Sequence, residues 1–483
     1  MVAALLTEPI LLTEPILLIG PILLTEPILL IGPILLIGVL LLPLCSALVL
    51  GIRGCLQGLP FPSTRRFSLL VTGLVLLCAL ALPLYGEREV HLPLTWIPGT
   101  GDLSLHVGGA GVYALVATAA CAFLARLFTP EPGPATESRT VALWIDALWL
   151  LALAATNAAF LAGHFLGRYV VLEVVGLCVA ALPLLQRRDA AASRFVYILL
   201  RVGDAGLLAA ILALMQAGGT LAIAEALRAG ESLDAPRLGW VAAGFLLAVW
   251  VKMGAWPFQD WLRAGGLAES SAGAWLYGIV MPNLGLYLLY RVTPLLLLSA
   301  PLRLGVAVLG ATGVMLMAFR LVSVRDGRAL PVYANAILSG ILLLLAAGGA
   351  QAWLETWLWA GTLLRLAAWR LWQRRACRQP APLGAPDPDR WLFRVARALR
   401  WIETGVFERG PALIVQRAVA LAVTLQRVVE QDGIEMLVWT TARGTRSIAR
   451  RMQRAHTGRL RRNLAWVVLA WVLVVAWLAV RGW

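Results

Sequence analysis

The only lysine of this chain, Lys252, stands among 40 arginines and lies inside an apolar run. The run reads Ala-Gly-Phe-Leu-Leu-Ala-Val-Trp-Val-Lys252-Met-Gly-Ala-Trp-Pro257. Arginine stays protonated at working pH, whereas a lysine that is removed from water can release its proton near neutrality. Lys252 is therefore a candidate proton carrier. The alternative is a single lysine that has survived in an arginine-rich chain without a function of its own.

Three further charged residues lie in the apolar stretches that precede Lys252. Glu173 follows Arg168 by five residues, which places it near one end of a predicted membrane helix. Arg201 and Asp204 are spaced i and i+3, so they share one helix face as a local ion pair. An ionisable group inside a membrane is a functional hypothesis because its desolvation is costly. The alternatives are a Glu173 that reaches outward to the interface and an Arg201–Asp204 pair that only neutralises itself.

The elements that hold these residues are predicted to be membrane helices. Of the 483 residues, 60% are hydrophobic and 14% are charged, which is far more apolar than a typical soluble domain. A helix that crosses the bilayer needs roughly 17 to 25 mostly apolar residues. We predict an all-α polytopic membrane protein with about twelve spans, at 29–52, 67–85, 109–128, 141–163, 169–185, 195–215, 238–257, 272–290, 304–319, 331–349, 353–372 and 464–480.

The distribution of arginine predicts the orientation of these spans. With the N-terminus outside, the loops on the cytoplasmic side hold twelve arginines and the opposite loops hold six. This asymmetry follows the positive-inside rule. Residues 374–462 carry 18 arginines and 7 acidic residues, and the same parity places them in the cytoplasm. The basic charge therefore indicates contact with anionic lipid, and no motif for nucleic-acid binding is present.

The remaining sequence features predict no chemistry. A hexad, LLTEPI or LLIGPI, repeats between residues 5 and 40. Because proline recurs every six residues, we predict that no continuous helix forms there, and we assign the repeat no role. The six cysteines form no CxxC pair and the four histidines are scattered. We therefore predict no disulfide framework, no metal site and no cofactor.

Several of these stretches resemble the antiporter-like membrane subunits of respiratory complex I, especially the L-type subunit, in the NADH:quinone oxidoreductase/Mrp antiporter transmembrane family. The stretch from Tyr169 to Leu214, which contains Glu173 and Arg201-Val-Gly-Asp204, looks like two helices of that family. Lys252-Met-Gly-Ala-Trp-Pro257-Phe-Gln-Asp-Trp-Leu is similar to its Lys-Ser-Ala-Gln-Phe-Pro-Leu-His-x-Trp-Leu signature, in which the lysine lies on the proton path and the proline breaks the helix. The resemblance extends to Gly285-Leu-Tyr-Leu-Leu-Tyr-Arg291, Asp326-Gly-Arg328-Ala-Leu-Pro-Val-Tyr333 and His456-Thr-Gly-Arg-Leu-Arg.

The resemblance implies a proton pathway through Glu173, Lys252 and Tyr277, in which Glu173 stabilises the protonated lysine. Three departures from the family pattern narrow this expectation. Tyr277 stands where the family has a histidine, Arg328 where it has a lysine, and Arg365 where its eleventh helix reads His-Ala-x-Phe-Lys. Arginine cannot release a proton at working pH, so two relay positions are predicted to be fixed charges.

The resemblance also divides the chain into predicted segments. These are the hexad repeat (1–28), the N-terminal helices (29–140), a first antiporter-like repeat (141–292), a partial second repeat (293–373), the basic segment (374–462) and a last membrane helix (463–483). The family has two inverted repeats of five helices, and the second is predicted to stop after three here. Within the basic segment, residues 412–427 predict an amphipathic helix in the interface plane, with a solvated basic loop as the alternative.

Three functions remain open from the sequence. The first is a membrane subunit of a complex I-like NADH:quinone oxidoreductase in the cell inner membrane, which takes part in proton translocation through a half-channel of Glu173 and Lys252. The second is a subunit of an Mrp-type cation/proton antiporter or of an inorganic-carbon concentrator. The third is a structural subunit that has lost conduction. The implied partners are other membrane subunits, the lipid bilayer and protons, and any NADH oxidation belongs to partner subunits.

Overall fold

The computed structural model describes residues 14–55, 64–92, 103–129, 139–267, 269–323, 327–378, 409–425 and 443. Their α-helices are α1 (Glu14–Cys55), α2 (Thr64–Ala81), α3 (Gly109–Leu127), α4 (Arg139–Leu161), α5 (Phe165–Arg187), α6 (Ala190–Gly218), α7 (Ile223–Gly230), α8 (Ala235–Met253), α9 (Asp260–Gly265), α10 (Ser271–Trp275), α11 (Met281–Leu297), α12 (Ala300–Ser323), α13 (Leu330–Ala347), α14 (Gln351–Thr356), α15 (Thr362–Arg378) and α16 (Arg409–Leu425). π-Helical turns at Leu276–Val280 and Trp357–Gly361 join α10 to α11 and α14 to α15.

Nine helical stretches in the described part of the chain are long and apolar enough to cross a membrane. They are Gly32–Cys55, Thr64–Tyr85, Gly109–Leu127, Thr140–Leu161, Phe165–Arg187, Ala190–Gly218, Ser271–Leu297, Ala300–Val322 and Gly327–Ala347. The predicted spans at 238–257 and 353–372 are helical, as α8 and α14–α15, but are not among the nine. The predicted span at 464–480 lies outside the described residues. The predicted polytopic helical membrane fold is thus confirmed.

The N-terminal repeat differs from its prediction. Helix α1 runs without a break from Glu14 to Cys55, through the prolines that were expected to interrupt it. A proline removes one backbone hydrogen bond, but the intervening residues are almost all apolar and keep theirs. In apolar surroundings a helix satisfies those backbone groups within one segment, which is why proline is tolerated in membrane helices.

A β-hairpin interrupts the helical pattern between α2 and α3 and was missed by the all-α prediction. Strand β1 (Arg88–Leu92) pairs antiparallel with β2 (Leu103–Val107). The hairpin is attached to the connection between α4 and α5, because the backbone N–H of Gly163 donates to Ser104 O at 2.8 Å. It therefore lies at the end of the bundle where α5 begins.

Helix α8 lies between α6 and α11, and small residues allow close approach on both sides. A Cβ added at Gly244 of α8 would lie 2.6 Å from Gly206 O of α6, and one added at Gly285 of α11 would lie 3.2 Å from Lys252 Cβ. Glycines at such crossings let helix backbones pack directly against each other. The packing encloses the C-terminal end of α8, where Lys252 is located.

Helix α8 ends at Met253, and a glycine ends it. Gly254 has φ 59° and ψ 38°, in the left-handed region, and its N–H donates to Val251 O at 3.1 Å. Left-handed glycine is the common way to close a helix. Pro257 was expected to break this helix, and it instead follows the break by three residues, inside the turn that leads to α9.

We expect Gly254→Ala to lower the free energy of unfolding by about 2 kcal/mol, because a left-handed conformation costs an L-residue roughly 1–2 kcal/mol and the added methyl group would crowd Leu262. Gly239→Ala is the matched control, since nothing lies within 4 Å of a Cβ at this position of α8. It should be neutral or slightly stabilising. Denaturant titration of the purified chain measures both, and equal losses would contradict the assignment of Gly254 as the helix cap.

The contacts within the chain divide it into two units, Met1–Ala412 and Leu413–Trp483. Helix α16 overlaps the stretch 412–427 that the sequence predicts to be an amphipathic helix, and residues 412–425 of that stretch are helical. Its Leu413, Leu421 and Val423 side chains are exposed. Its position in the plane of the interface stays a prediction.

Candidate functional site

Lys252 is buried at the centre of the bundle, and its partner is Asp204. Both side chains are 2% exposed, and Lys252 Nζ donates to Asp204 Oδ1 at 2.5 Å. Lys252 also lies in the last turn of α8, where the carbonyl end of the helix favours a cation. A charge buried to this extent needs an opposite charge next to it, and Asp204 supplies it.

The structure corrects the predicted partner of Lys252, which was Glu173. Glu173 on α5 instead forms an ion pair with Arg201 on α6. Arg201 Nη2 lies 3.1 Å from Asp204 Oδ2 on the same helix. Helix α8 packs on α6, and α6 packs on α5, so α6 separates the glutamate from the lysine.

Glu173, Arg201, Asp204 and Lys252 therefore form a continuous row of alternating charge, which we call the charge chain. One end is partly exposed, since the side chains of Glu173 and Arg201 are 22% and 23% exposed. The other end, at Lys252, is buried. The chain thus connects a half-buried carboxylate to a fully enclosed lysine through three ion pairs.

The local sequence places the middle of the charge chain. Arg201 and Asp204 share one face of α6 because they are spaced i and i+3. Gly176 leaves room for the guanidinium between α5 and α6, since a Cβ there would lie 2.6 Å from Arg201 Nη2. The guanidinium also lies over the ring of Tyr197, 5.3 Å from its centroid. Arg201 is thus held within reach of both carboxylates.

The charge chain has hydrogen-bonding capacity left over. Glu173 Oε1, Arg201 Nε and Asp204 Oδ2 are buried and make no hydrogen bond. Asp204 Oδ2 is close enough to Arg201 for an ion pair but is not aligned for a hydrogen bond. Buried polar atoms of this kind are normally satisfied by water or by a second side-chain arrangement.

Side chains of two other elements hold the turn that follows Lys252. Trp261 Nε1 donates to Val251 O at 2.9 Å. Asn335 Nδ2 and Ser339 Oγ of α13 both donate to Met253 O at 2.9 Å. Asn335 and Ser339 were not predicted from the sequence. Their i, i+4 spacing in an otherwise apolar helix was the available signal, because it places two polar groups on one face.

Tyr277 is fully buried in the π-helical turn before α11. Its hydroxyl donates to Val179 O at 2.6 Å, and its ring centroid is 5.8 Å from that of Trp261. Trp261 in turn contacts the end of α8. The Trp261 indole therefore lies between Tyr277 and the end of α8 that carries Lys252. The Tyr277 hydroxyl is hydrogen-bonded to the backbone of α5.

The two substituted relay positions have opposite surroundings. Arg328 is exposed at the start of α13 and lines a polar cavity of about 580 Å³ together with Arg187 and Glu269, which form an ion pair at 2.9 Å. Arg365 of α15 has all three guanidinium nitrogens buried. Neither residue belongs to the charge chain as it stands.

Residues 162–359, which include the whole charge chain, match the family described as "NADH:quinone oxidoreductase/Mrp antiporter, TM". A 190-residue stretch is 28% identical to NADH-quinone oxidoreductase subunit L of Campylobacter jejuni subsp. jejuni serotype O:2, over 39% of this chain and 32% of that protein. The match thus spans about a third of the relative's length.

Two solved structures share the fold at low sequence identity. The Mrp complex from Dietzia sp. DQ12-45-1b aligns with a TM-score of 0.59 at 18% identity, over 71% of this chain and 37% of the matched one. The membrane-bound sulfane sulfur reductase, an archaeal respiratory membrane complex, aligns with a TM-score of 0.56 at 17% identity, over 71% and 56%.

The helical bundle and the matched segment are similar to those of antiporter-like membrane subunits of the complex I or Mrp type. Among these relatives, the chain is similar to the L-type subunit, as its sequence motifs predicted.

Proposed function

We propose that this chain is a membrane subunit of a complex I-like NADH:quinone oxidoreductase and takes part in proton translocation, with Lys252 as the proton carrier. The observation that supports the proposal is the buried pair of Lys252 and Asp204 at the closed end of the charge chain. An ammonium group enclosed in this way is stabilised by the counter-charge beside it. The proposed mechanism therefore controls proton transfer at Lys252 through the contacts of Asp204.

Arg201 is the residue that can exert this control. It lies between Glu173 and Asp204 and contacts both. When Arg201 is drawn to Glu173, the charge of Asp204 is left to Lys252, and the lysine holds its proton. When Arg201 is drawn to Asp204, it competes for that carboxylate and the lysine is favoured to release its proton. A small movement of Arg201 between the two carboxylates would be sufficient, because charges interact strongly where water is scarce.

In the assembled complex, a neighbouring membrane subunit would bias Arg201 from the partly exposed end of the chain. The proposed site of action is the inner membrane of the cell, with the N-terminus outside and the basic segment in the cytoplasm. The redox reaction itself belongs to other subunits of the complex.

Two observations favour a second candidate, a structural subunit that keeps the fold without conducting. Arg328 and Arg365 cannot relay a proton. In addition, the Tyr277 hydroxyl is bonded to a backbone carbonyl. A subunit of an Mrp-type cation/proton antiporter also remains compatible with the fold match to the Mrp complex.

Proteoliposomes that contain the natively purified complex separate these functions. Proton uptake driven by NADH and a soluble quinone is the result we expect. Proton movement driven by a sodium gradient, without a response to NADH, would assign the chain to an antiporter. If electron transfer continues and substitutions of Lys252 do not change proton uptake, the result would assign a structural role to the chain.

We expect Tyr277→Phe to lower the free energy of unfolding by about 1 kcal/mol, because one buried hydrogen bond to Val179 O is lost. Protons moved per electron should stay within about twofold of the unaltered complex, a margin of some 0.4 kcal/mol in barrier height. Measuring both quantities on the same preparation decides the role of this hydroxyl. A loss of proton transport as large as that of Lys252→Ala would instead place Tyr277 on the proton path.

A further inference from the structure

Arg365 is a buried cation without a partner in the part of the chain that the structure describes. It follows the π-helical turn Trp357–Gly361 and lies one turn into α15. Its Nε, Nη1 and Nη2 atoms are buried, and none of them makes a hydrogen bond. No carboxylate of the described residues lies within ion-pair distance of it. Lys252 is more completely enclosed than Arg365, and in contrast to it has a carboxylate partner.

The depth of Arg365 makes this lack of a partner costly. Helix α15 packs on α3, where the Cys121 thiol contacts Thr362 O at 3.6 Å. Cys121 lies inside the candidate span Gly109–Leu127, roughly 18 Å of helix rise from its start. Arg365 follows Thr362 by three residues, so it lies beside the last third of this span, and Arg370 further along α15 lies over the Phe128 ring just past its end. A charged group beside an apolar membrane helix is normally paired inside a protein assembly.

A groove lies next to Arg365. A cavity of about 280 Å³ is enclosed by α13, the π-helical turn Leu276–Val280 and α15, and Arg365 is part of its wall. The other lining groups are mostly apolar, including Leu338, Trp357 and Trp369. The groove opens to the outer surface, since Leu364 on its rim is 59% exposed. Its size is at the lower limit of small-molecule pockets, which suits protruding side chains better than a bulky ligand.

We propose that this groove is the docking site of a membrane helix from a partner subunit, and that the helix carries one carboxylate opposite Arg365. The charge complementarity sets the chemistry of the occupant, because only an acidic group neutralises the buried guanidinium. The last apolar stretch of this chain, residues 464–480, contains no aspartate or glutamate and cannot supply it. The proposal is independent of proton translocation.

Photo-crosslinking in the native membrane tests the docking site directly. Leu364 is replaced by p-benzoyl-phenylalanine in the full chain, and Leu304 on α12, which is 66% exposed, serves as the control position. We expect irradiation to join position 364, and not 304, to a peptide from a membrane helix of another subunit that contains Asp or Glu. Attachment to residues 464–480, to lipid alone, or to nothing beyond the control would overturn the proposal.

A charge-removal experiment then tests the role of Arg365. Arg365→Leu should lower recovery of the cross-linked subunit with the purified chain by roughly tenfold or more, because its carboxylate loses its partner. Arg370→Leu, on the same helix, should not. Changing that carboxylate to Leu in the Arg365→Leu background should restore recovery. If Arg365→Leu reduces the amount of chain in the membrane, the double variant should restore this as well. Failure of the double variant to restore recovery contradicts the ion pair.

Discussion

Lys252→Ala is expected to abolish proton transport while electron transfer by the complex remains measurable. The variant removes the proposed proton carrier of the charge chain, since arginine retains its protons at working pH and an ionised carboxylate has none. Protons moved per electron should fall at least tenfold, which corresponds to roughly 1.4 kcal/mol or more in the barrier for transfer. The measurement is proton uptake by proteoliposomes, recorded together with NADH oxidation.

A matched control for this experiment is Arg303→Ala. Arg303 lies near the start of α12 and its Nε donates to Ala347 O, away from the charge chain. The Arg303→Ala variant removes a cation of similar size, so an equal loss of proton transport in both variants would indicate a general effect of charge or of folding. Unchanged transport in Lys252→Ala would favour the structural role of the chain.

Asp204→Asn is expected to destabilise the chain by roughly 3–5 kcal/mol, because it leaves the buried Lys252 ammonium without its counter-charge. Glu173→Gln should cost about 1 kcal/mol or less, because this carboxylate is partly exposed and pairs with an arginine that retains Asp204. Denaturant titration of the purified chain in detergent measures the difference. It distinguishes the observed partner of the lysine from the partner that the sequence suggested.

A double variant provides the internal check on Asp204. Adding Lys252→Met to Asp204→Leu removes both buried charges and should recover most of the lost stability, since paired apolar replacements of a buried ion pair are often neutral. The two changes are in contact, so their effects should be strongly non-additive. Equal losses for Asp204→Asn and Glu173→Gln, or no recovery in the double variant, would contradict the proposed order of the charge chain.

The sequence was sufficient for the class of fold and for the residues at the ends of the site. Long apolar stretches and the arginine distribution predict membrane helices because the bilayer imposes length and polarity on every span. Lys252 was identifiable because a single lysine among arginines is a chemical exception. Glu173 was identifiable because a carboxylate in an apolar run is costly.

The pairing within the site was not predictable from the sequence, and the reason is geometric. Spacing along α6 predicts the ion pair of Arg201 and Asp204. Which carboxylate pairs with which cation across helices depends on which helices are neighbours. Glycines at 206 and 244 bring α6 against α8, and this close approach presents Asp204, in place of Glu173, to the lysine. The hydrogen bonds from Asn335 and Ser339 to the end of α8 depend in the same way on long-range packing.

The positions at which helices end were also only partly predictable from the sequence. Proline was the more conspicuous residue both in the N-terminal repeat and after Lys252, yet α1 continues through its prolines and α8 ends at Gly254 before Pro257. Local preference is overridden where a continuous apolar helix can satisfy its backbone internally. Conversely, a left-handed glycine closes a helix without a proline.

Whether Lys252 carries the transported proton is shown by the proton-to-electron ratio of Lys252→Arg. Arginine keeps the positive charge beside Asp204 and so preserves the ion pair, but it cannot release a proton at working pH. We expect an assembled complex whose electron transfer remains measurable and whose proton transport is lost. A complex with Lys252→Arg that transports protons at the unaltered ratio would contradict it, because the charge alone would then be sufficient.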